Sequence, residues 1–375
     1  MYRKFFSFLS LCLSFAFFFF VILLYKTFPE TDINAIIFHL KSGQTLLFEN
    51  YVVYICQVYL IPFLIISLLT GVIINIYYPQ YGKALCRLLL VSSIFVLIAK
   101  YQLIDYIKNS FVKSTFYEKY YVQPDVNAIK FPSTKKNLVV LYLESIEQTY
   151  QAKEIFNDNL LPKLSLIKKE YVSFSDYYEI YGAGWTIAGL VTTNCGIPLI
   201  TPLAPNMYGI QKKFLPGAVC LQDILAVHGY RQIFMIGGSK YFSCFDSFFN
   251  NRAEPHAEII DNEFFNRKDN YWGAKDSFLY KAAQQKITEL SKSHQPFSLL
   301  IMTINTHQPK GILDNQCSGN KDNFMDIVKC ADYMAADFIE WLKKQPFFKN
   351  ISLVVLGDHL SLIHISEPTR LLSIS

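Results

Sequence analysis

Carboxylate and imidazole side chains follow three strongly apolar runs of the chain. Glu144 comes directly after NLVVLYL, His307 is the third residue after FSLLIMTI, and Asp358 and His359 follow ISLVVLG. Oxygen and nitrogen ligands without a thiolate suit Mn²⁺, Mg²⁺ or Zn²⁺. Taken singly, the glutamate could cap a helix or form a salt bridge, and the Asp-His pair could end a strand in a polar turn. Their shared placement after apolar runs favours a metal site.

Thr186 lies between a glycine-rich turn, with Gly182 and Gly184, and a predicted helix. The glycines allow close approach of the backbone to a ligand, and a helix N-terminus favours a phosphate. Threonine at such a position is also commonly the N-cap. A free threonine hydroxyl is a poor nucleophile near neutral pH, so nucleophilic chemistry here requires a metal ion that stabilises the alkoxide. The nearby candidate ligands make Thr186 the candidate nucleophile.

Alternating strand and helix patterns must position these residues. We predict strands at residues 137–143, 231–236, 297–304 and 351–356, and helices at 160–170, 186–193, 277–291 and 322–344. Continuous apolar runs are typical of strands covered on both faces, and their alternation with helices predicts an α/β fold with a mostly parallel sheet between helix layers. Ligands bind such sheets at the carboxyl ends of the strands. We therefore expect the candidate site at that edge.

The composition is 52% hydrophobic and 17% charged over 375 residues, with a net charge of +5, which excludes a disordered chain and argues against a nucleic-acid partner. The apolar excess is concentrated in residues 5–25, 51–78 and 84–104. We predict three membrane spans there, because a spanning helix needs roughly 20 apolar residues. The first could instead be a signal peptide, although no small-residue cleavage pattern follows it. The third contains Arg87 and Lys100 and could instead be a buried core helix.

Basic residues near the spans predict their orientation. Arg3 and Lys4 precede the first span, and Lys83 and Arg87 lie between the second and the third. These ends are predicted to be cytoplasmic, which places everything after residue 104 outside. If the third segment did not cross, the large domain would lie inside.

Five cysteines in the soluble part bear on which side of the membrane the large domain lies: Cys195, Cys220, Cys244, Cys317 and Cys330. An oxidising compartment allows two disulfides with one thiol left over, and Cys317 with Cys330 and Cys195 with Cys220 are candidate pairs. Five unpaired thiols are the alternative. We expect at least one disulfide, which agrees with an external domain.

The chain resembles the glucan phosphoglycerol transferases, which are membrane-anchored enzymes of the alkaline phosphatase and sulfatase superfamily. The resemblance rests on five segments in this order: ESIEQTY from Glu144, GAGWTIAGLVTTNCGIPL from Gly182, YWGAKD from Tyr271, NTHQP from Asn305 and LGDHL from Leu356. It covers about residues 137–360 and implies an alkaline phosphatase-like α/β/α sandwich. Lipoteichoic acid synthases and lipid A phosphoethanolamine transferases are more distant relatives, and the TIAG run followed by NCGIPL separates this sequence from the latter.

The resemblance implies roles for six residues. Thr186 would be the nucleophile and a metal ligand, Glu144, Asp358 and His359 would be the other ligands, His307 would contact the transferred phosphoglycerol or its leaving oxygen, and Trp272 would line the headgroup pocket. The implied cofactor is a divalent ion, with Mn²⁺ expected and Mg²⁺ or Zn²⁺ as alternatives. Trp272 could also be a core aromatic and His307 a core histidine. Ala274 stands where lipoteichoic acid synthases have a basic residue, so headgroup contacts do not transfer in full.

The implied reaction moves phosphoglycerol from phosphatidylglycerol to a periplasmic glucan at the cell inner membrane. Thr186 would attack the phosphorus, diacylglycerol would leave, and an acceptor hydroxyl would then displace the threonine. The alternatives are a phosphoethanolamine transferase, a phosphodiesterase or sulfatase-type hydrolase of the same superfamily, and an inactive truncated membrane fragment. A sulfatase would have Cys or Ser in place of Thr186, which disfavours that branch.

We predict four segments: a membrane domain at residues 1–107, a juxtamembrane helix and linker at 108–136, a periplasmic catalytic domain at 137–360, and a tail at 361–375 that is foreign to the fold. The tail has no apolar period, and relatives continue with further strands and helices after the Asp-His pair. We therefore expect an incomplete catalytic domain, in which the strand at 351–356 lacks a neighbour and leaves apolar surface uncovered.

Overall fold

The computed structural model describes residues 2–27, 33–42, 60–111, 115–201, 214–250, 252, 254–266, 272–307 and 310–361. Residues 51–59, which begin the predicted second span, lie outside the described residues. Residues 362–375, which form nearly all of the predicted tail, also lie outside them.

Among the described residues, six helices precede the sheet: α1 (Tyr2–Thr27), α2 (Ile33–Ser42), α3 (Ile61–Tyr77), α4 (Gly82–Lys100), α5 (Leu103–Phe111) and α6 (Phe116–Tyr120). Helix α1 packs against both α3 and α4. The rings of Phe19 and Phe63 stack with centroids 5.4 Å apart, and the Ser14 hydroxyl contacts Cys86 Sγ at 2.9 Å. The three apolar helices therefore form one bundle.

The outer surface of this bundle is apolar. Leu69 of α3 is 57% exposed and Phe95 of α4 is 70% exposed, with many similar neighbours. Helix α4 is long and apolar enough to cross a membrane by length and composition, whereas the apolar stretches of α1 and α3, Phe8–Ile22 and Ile61–Tyr77, are shorter. Only 17% of the apolar window of α4 is buried. This exposure argues against the interpretation of α4 as a buried core helix.

The described strands form one parallel sheet with the order β3-β2-β4-β1-β5. They are β1 (Asn137–Leu143), β2 (Arg231–Ile236), β3 (Glu258–Ile260), β4 (Phe297–Met302) and β5 (Ile351–Gly357). The prediction of a mostly parallel sheet is confirmed. Strand β4 ends two residues before its predicted end, because the Ile304 N–H leaves the ladder and donates to Asp276 Oδ1 at 2.8 Å.

Helices cover both faces of the sheet. They are α7 (Lys153–Phe156), α8 (Pro162–Glu170), α9 (Thr186–Cys195), α10 (Leu221–Val227), α11 (Phe245–Asn250), α12 (Asn262–Phe265), α13 (Asp276–Leu290) and α14 (Phe324–Lys343). Successive strand side chains point to opposite faces. Leu141 of β1 thus packs in one apolar cluster with residues of α13 and α14, and Tyr142 packs in another with residues of α9 and α11. The predicted α/β/α sandwich is confirmed.

Strand β5 lies at the edge of the sheet. It pairs with β1, and no other described strand pairs with its second side. Val354 and Val355 are 45% and 36% exposed. Within the described residues, the expectation of an uncovered strand here is confirmed.

Two disulfides link segments around the sheet. Cys195 at the end of α9 is bonded to Cys220, which precedes α10, and Cys317 is bonded to Cys330 of α14. Cys244 is buried and forms no disulfide with the described cysteines. The prediction of at least one disulfide is confirmed, and the alternative of five unpaired thiols is wrong.

Candidate active site

Glu144, Asp358 and His359 meet at the carboxyl edge of the sheet. His359 Nε2 lies 3.4 Å from Glu144 Oε1 and 3.3 Å from Asp358 Oδ2. One ligand atom from each side chain lies within 4.8 Å of the others, and all three residues are buried. Their proximity follows from the register of β1 and β5, in which Leu143 lies opposite Gly357. The residues that follow these two partners must therefore come together.

Thr186 contacts this cluster from helix α9. It is the first residue of α9, and its hydroxyl donates to Glu144 Oε2 at 3.5 Å. The N-cap position belongs to Trp185, and no side chain caps the helix. Thr186 is therefore not the N-cap. Its hydroxyl is directed at the acidic cluster, beside first-turn N–H groups that have no partner within the helix.

A glycine allows α9 to approach the cluster closely. A Cβ atom built on Gly189 would lie 1.9 Å from the carbonyl oxygen of Asp358. Any larger residue would push the helix away from the turn after β5. The Gly189 position thus determines how near Thr186 lies to the metal-ligand candidates.

Hydroxyl residues that the sequence analysis did not single out hold Glu144 in place. The Ser145 hydroxyl donates to Glu144 Oε1 at 2.9 Å, and the Ser145 N–H donates to Asp358 Oδ1 at 2.8 Å. The Glu144 N–H donates to Thr303 Oγ1 at 2.9 Å, and the Thr306 hydroxyl donates to the Glu144 carbonyl oxygen. Ser145 has a φ of 54°, in the left-handed region. The sequence signal for these residues is weak, since it is only their position after predicted strands.

The cluster fits a divalent metal ion. Asp358 Oδ2 is buried and accepts no hydrogen bond, and a buried polar atom without a partner is costly. Two carboxylates, an imidazole and a hydroxyl form a donor set that suits Mn²⁺, Mg²⁺ or Zn²⁺. Apart from its 3.3 Å contact with His359 Nε2, Asp358 Oδ2 has no hydrogen-bond partner among the described residues, and a bound ion would supply one.

The protonation of the cluster depends on burial and mutual charge. Burial favours the neutral form of Glu144, but the charge of His307 and the hydrogen bond with His359 outweigh it and lower the pKa of Glu144 to about 2. Burial, followed by the charge of Glu144, raises the pKa of Asp358 well above its usual range. Burial disfavours protonated His359, yet Asp358 and Glu144 raise its pKa to about 10. Binding of a metal ion would therefore release protons.

Trp272 and His307 form an aromatic pair at the rim of the site. Their ring centroids are 3.8 Å apart, and both side chains are half-buried. Trp272 also packs against the apolar cluster that contains Tyr142. Gly273, with a φ of 138°, places Trp272, because a Cβ there would lie 2.1 Å from the Gly237 carbonyl oxygen. The Ala274 N–H donates to that same oxygen at 3.0 Å. The segment after β2 thus fixes the position of Trp272.

The sulfatase family profile matches residues 136–369 of the chain. Phosphoglycerol transferase I of Escherichia fergusonii is 36% identical over 254 residues, which are 65% of this chain and 33% of that protein. Phosphoglycerol transferase I of an Escherichia coli strain is 35% identical over 258 residues, with the same coverage. The chain thus spans about a third of the length of these curated relatives.

Two solved structures share the fold. A protein of the alkaline phosphatase superfamily from Vibrio parahaemolyticus has a TM-score of 0.50 at 23% identity, over 62% of this chain and 56% of that one. The lipoteichoic acid synthase LtaP from Listeria monocytogenes has a TM-score of 0.52 at 18% identity, over 66% of this chain and 63% of that one. Since the family profile covers more than half of the sequence, the chain belongs to the sulfatase family.

Proposed function

We propose that the protein transfers a phosphoglycerol group from phosphatidylglycerol to a hydroxyl of a periplasmic glucan, with Thr186 as the nucleophile. The observation that carries this proposal is the buried Thr186 hydroxyl, which lies at the start of α9 and 3.5 Å from Glu144 Oε2. The similarity to phosphoglycerol transferase I supports the identity of the transferred group.

In the first step, the Thr186 hydroxyl loses its proton to solvent, Thr186 Oγ1 attacks the phosphorus, the bond from phosphorus to the diacylglycerol oxygen breaks, and a glycerophospho-threonine forms. Glu144 orients the attacking hydroxyl, and the N-terminus of α9 stabilises negative charge on the phosphoryl oxygens. His307 gives a proton to the leaving oxygen.

In the second step, an acceptor hydroxyl attacks the same phosphorus and the bond to Thr186 Oγ1 breaks. His307 takes the acceptor proton, and the departing Thr186 Oγ1 takes a proton from solvent, which restores the threonine hydroxyl. Trp272 packs against the glycerol headgroup in both steps. A hydrolase would use water as the nucleophile in this second step, whereas the proposed transferase uses the acceptor hydroxyl.

Glu144, Thr186, Asp358 and His359 would hold the divalent ion in this scheme, with Mn²⁺ as the expected metal and Mg²⁺ or Zn²⁺ as alternatives. When bound, such an ion lowers the pKa of a coordinated hydroxyl and neutralises charge on a phosphoryl group. Its proposed position explains why the threonine needs no neighbouring histidine as a base.

We place the catalytic domain on the periplasmic side of the inner membrane. In the sequence, helix α2 precedes α3 and α4, and the catalytic domain follows them. The Asn34 side chain of α2 nevertheless donates to the Tyr181 hydroxyl of the catalytic domain at 2.9 Å. This contact supports an arrangement in which both parts lie on one side of the membrane, with α3 and α4 either both crossing it or both not crossing it. The exposed apolar surface of α4 favours crossing, and the disulfides favour an oxidising compartment. The proposed division is a membrane domain at residues 1–107, a linker at 108–136 and a catalytic domain at 137–360.

Mass spectrometry tests the proposal. The full chain in detergent is incubated with phosphatidylglycerol and Mn²⁺, and we expect a glycerophosphate adduct on the peptide that contains Thr186. Thr186→Ala should lose the adduct, and Thr192→Ala, a second threonine of α9 whose hydroxyl donates to the Ile197 carbonyl oxygen, should keep it.

Other outcomes separate the alternatives. An adduct from phosphatidylethanolamine alone would indicate a phosphoethanolamine transferase. Release of glycerophosphate into water without transfer to glucan would indicate a hydrolase. No adduct from any donor, with metal bound, would contradict the proposal.

A further inference from the structure

Helix α2, which lies between the first two apolar helices of the chain, docks beside the catalytic site. Asn34 is fully buried and bonds to two parts of the catalytic domain. Its side-chain amide donates to the Tyr181 hydroxyl at 2.9 Å, and its side-chain oxygen accepts from the Thr201 N–H at 3.2 Å. The Thr201 hydroxyl donates to the Asn34 carbonyl oxygen at 3.0 Å. These bonds attach α2 to the loop before α9, through Tyr181, and to the segment after α9, through Thr201.

Packing adds to this attachment. Phe38, one turn after Asn34, is 1% exposed. Its ring centroid lies 6.4 Å from that of Trp185 and 6.0 Å from that of Phe214. Because Trp185 directly precedes Thr186, α2 touches the same turn that places the nucleophile. The position of the next residue of α2 is therefore fixed relative to the site.

That next residue, His39, extends the aromatic rim. Its ring stacks on Phe242 with centroids 5.5 Å apart and an angle of 12° between the planes. Phe242 in turn lies 5.7 Å from Trp272 and 6.0 Å from His307, measured between ring centroids. All four side chains are half-buried. They form a continuous wall, which we call the aromatic rim: His39, Phe242, Trp272 and His307.

The chemistry of His39 differs from that of the metal-ligand candidates. Burial and the nearby charge of His307 lower the pKa of His39 to about 4, so the ring is neutral at pH 7. A neutral imidazole offers one hydrogen-bond donor and one acceptor. This pair complements a hydroxyl group, which also donates and accepts, and it carries no charge that would attract a phosphate.

We propose that His39 contacts a hydroxyl of the transferred glycerol group and so contributes to headgroup specificity. The inference rests on the proposed function, because it assigns to His39 the headgroup that Trp272 and His307 are proposed to bind. It makes helix α2 part of the substrate pocket.

Equilibrium binding tests the inference without any transfer step. Glycerol phosphate, ethanolamine phosphate and inorganic phosphate are titrated by calorimetry into the Mn²⁺-loaded full chain carrying Thr186→Ala. Adding His39→Ala should weaken binding of glycerol phosphate by about tenfold, as expected for one lost hydrogen bond, and leave inorganic phosphate unchanged. His39→Gln, which keeps a donor and an acceptor, should restore part of the affinity.

Two further variants control for structure. His294→Ala alters an exposed histidine that precedes the amino end of β4, away from the carboxyl edge, and should leave all three affinities unchanged. Asn34→Ala should weaken glycerol phosphate binding in the manner of His39→Ala, because α2 loses its anchor.

Several results would overturn the inference. One is an unchanged affinity for glycerol phosphate in His39→Ala, and another is an equal loss for all three ligands, which would indicate a purely structural role. Failure of the Thr186→Ala chain with His39 intact to bind glycerol phosphate would also overturn it. A missing Thr186 adduct in the separate mass-spectrometric experiment would contradict the proposed transfer and not this contact.

Discussion

At the residue scale, Ser145 holds the carboxylate that faces the candidate nucleophile. Its hydroxyl donates to Glu144 Oε1 at 2.9 Å. Groups that orient metal ligands typically contribute roughly 10–100-fold to metal affinity. We therefore predict that Ser145→Ala weakens Mn²⁺ binding within that range, measured by calorimetric titration. Ser298→Ala is the matched control, since Ser298 is buried but makes no hydrogen bond through its hydroxyl. Equal affinity in both variants would contradict the prediction.

Asp276 makes the free energy of unfolding depend on pH. It is buried, and its carboxylate accepts from the N–H groups of Ile304 and Asn305 at 2.8 and 3.1 Å. Burial outweighs these bonds and raises the pKa of Asp276 to about 7. Between an unfolded pKa of about 3.9 and this value, the folded state holds a proton that the unfolded state has lost. The contribution of Asp276 to the free energy of unfolding therefore decreases as pH rises through this window, by about 1.4 kcal/mol per pKa unit.

The corresponding prediction concerns Asp276→Asn, whose side chain does not titrate. The difference in Tm between the variant and the wild type should shift in favour of the variant as pH rises from about 4 to about 7. Thermal unfolding in detergent at several pH values measures it. A difference in Tm that stays constant with pH would contradict the assignment to Asp276.

At the element scale, the distance between α9 and the turn after β5 depends on Gly189. A Cβ there would lie 1.9 Å from the Asp358 carbonyl oxygen. Gly189→Ala should therefore destabilise the protein by about 1–3 kcal/mol, as overpacking does, and weaken Mn²⁺ binding because Thr186 moves away. Thermal unfolding and metal titration measure both effects. Gly217→Ala is the control, since nothing lies within 4 Å of a Cβ at that position. Matching results for the two variants would count against the close approach.

The strands and site residues differ in how accurately the sequence predicts them. The bounds of β1 and β2 match the prediction residue for residue, because buried parallel strands are continuous apolar runs. Strand β3 has three residues, too few for a periodic pattern. Metal-ligand candidates were predictable from their place after strands. His39 was not, because its position depends on a contact between α2 and a loop more than 140 residues away in the sequence.

At the scale of the whole molecule, the arrangement of helices predicts which loops face the periplasm. Pro79 lies between α3 and α4, and Val122 lies in the linker and is 84% exposed. In cells with a permeabilised outer membrane, a membrane-impermeant maleimide should label Val122→Cys and leave Pro79→Cys unlabelled until the inner membrane is opened. The unsubstituted protein provides the background from native thiols. Labelling of Pro79→Cys in closed cells would contradict the predicted topology.

No described strand pairs with the second side of β5, and this arrangement has a consequence for the behaviour of the protein in solution. Backbone N–H and C=O groups along an unpaired edge strand are a template for a strand of another chain. Exposed Val354 and Val355 add apolar surface beside those groups. Two copies that meet at this edge would extend the sheet across both molecules. Self-association that increases with protein concentration is therefore the behaviour to expect during purification, independently of the detergent that shields α3 and α4.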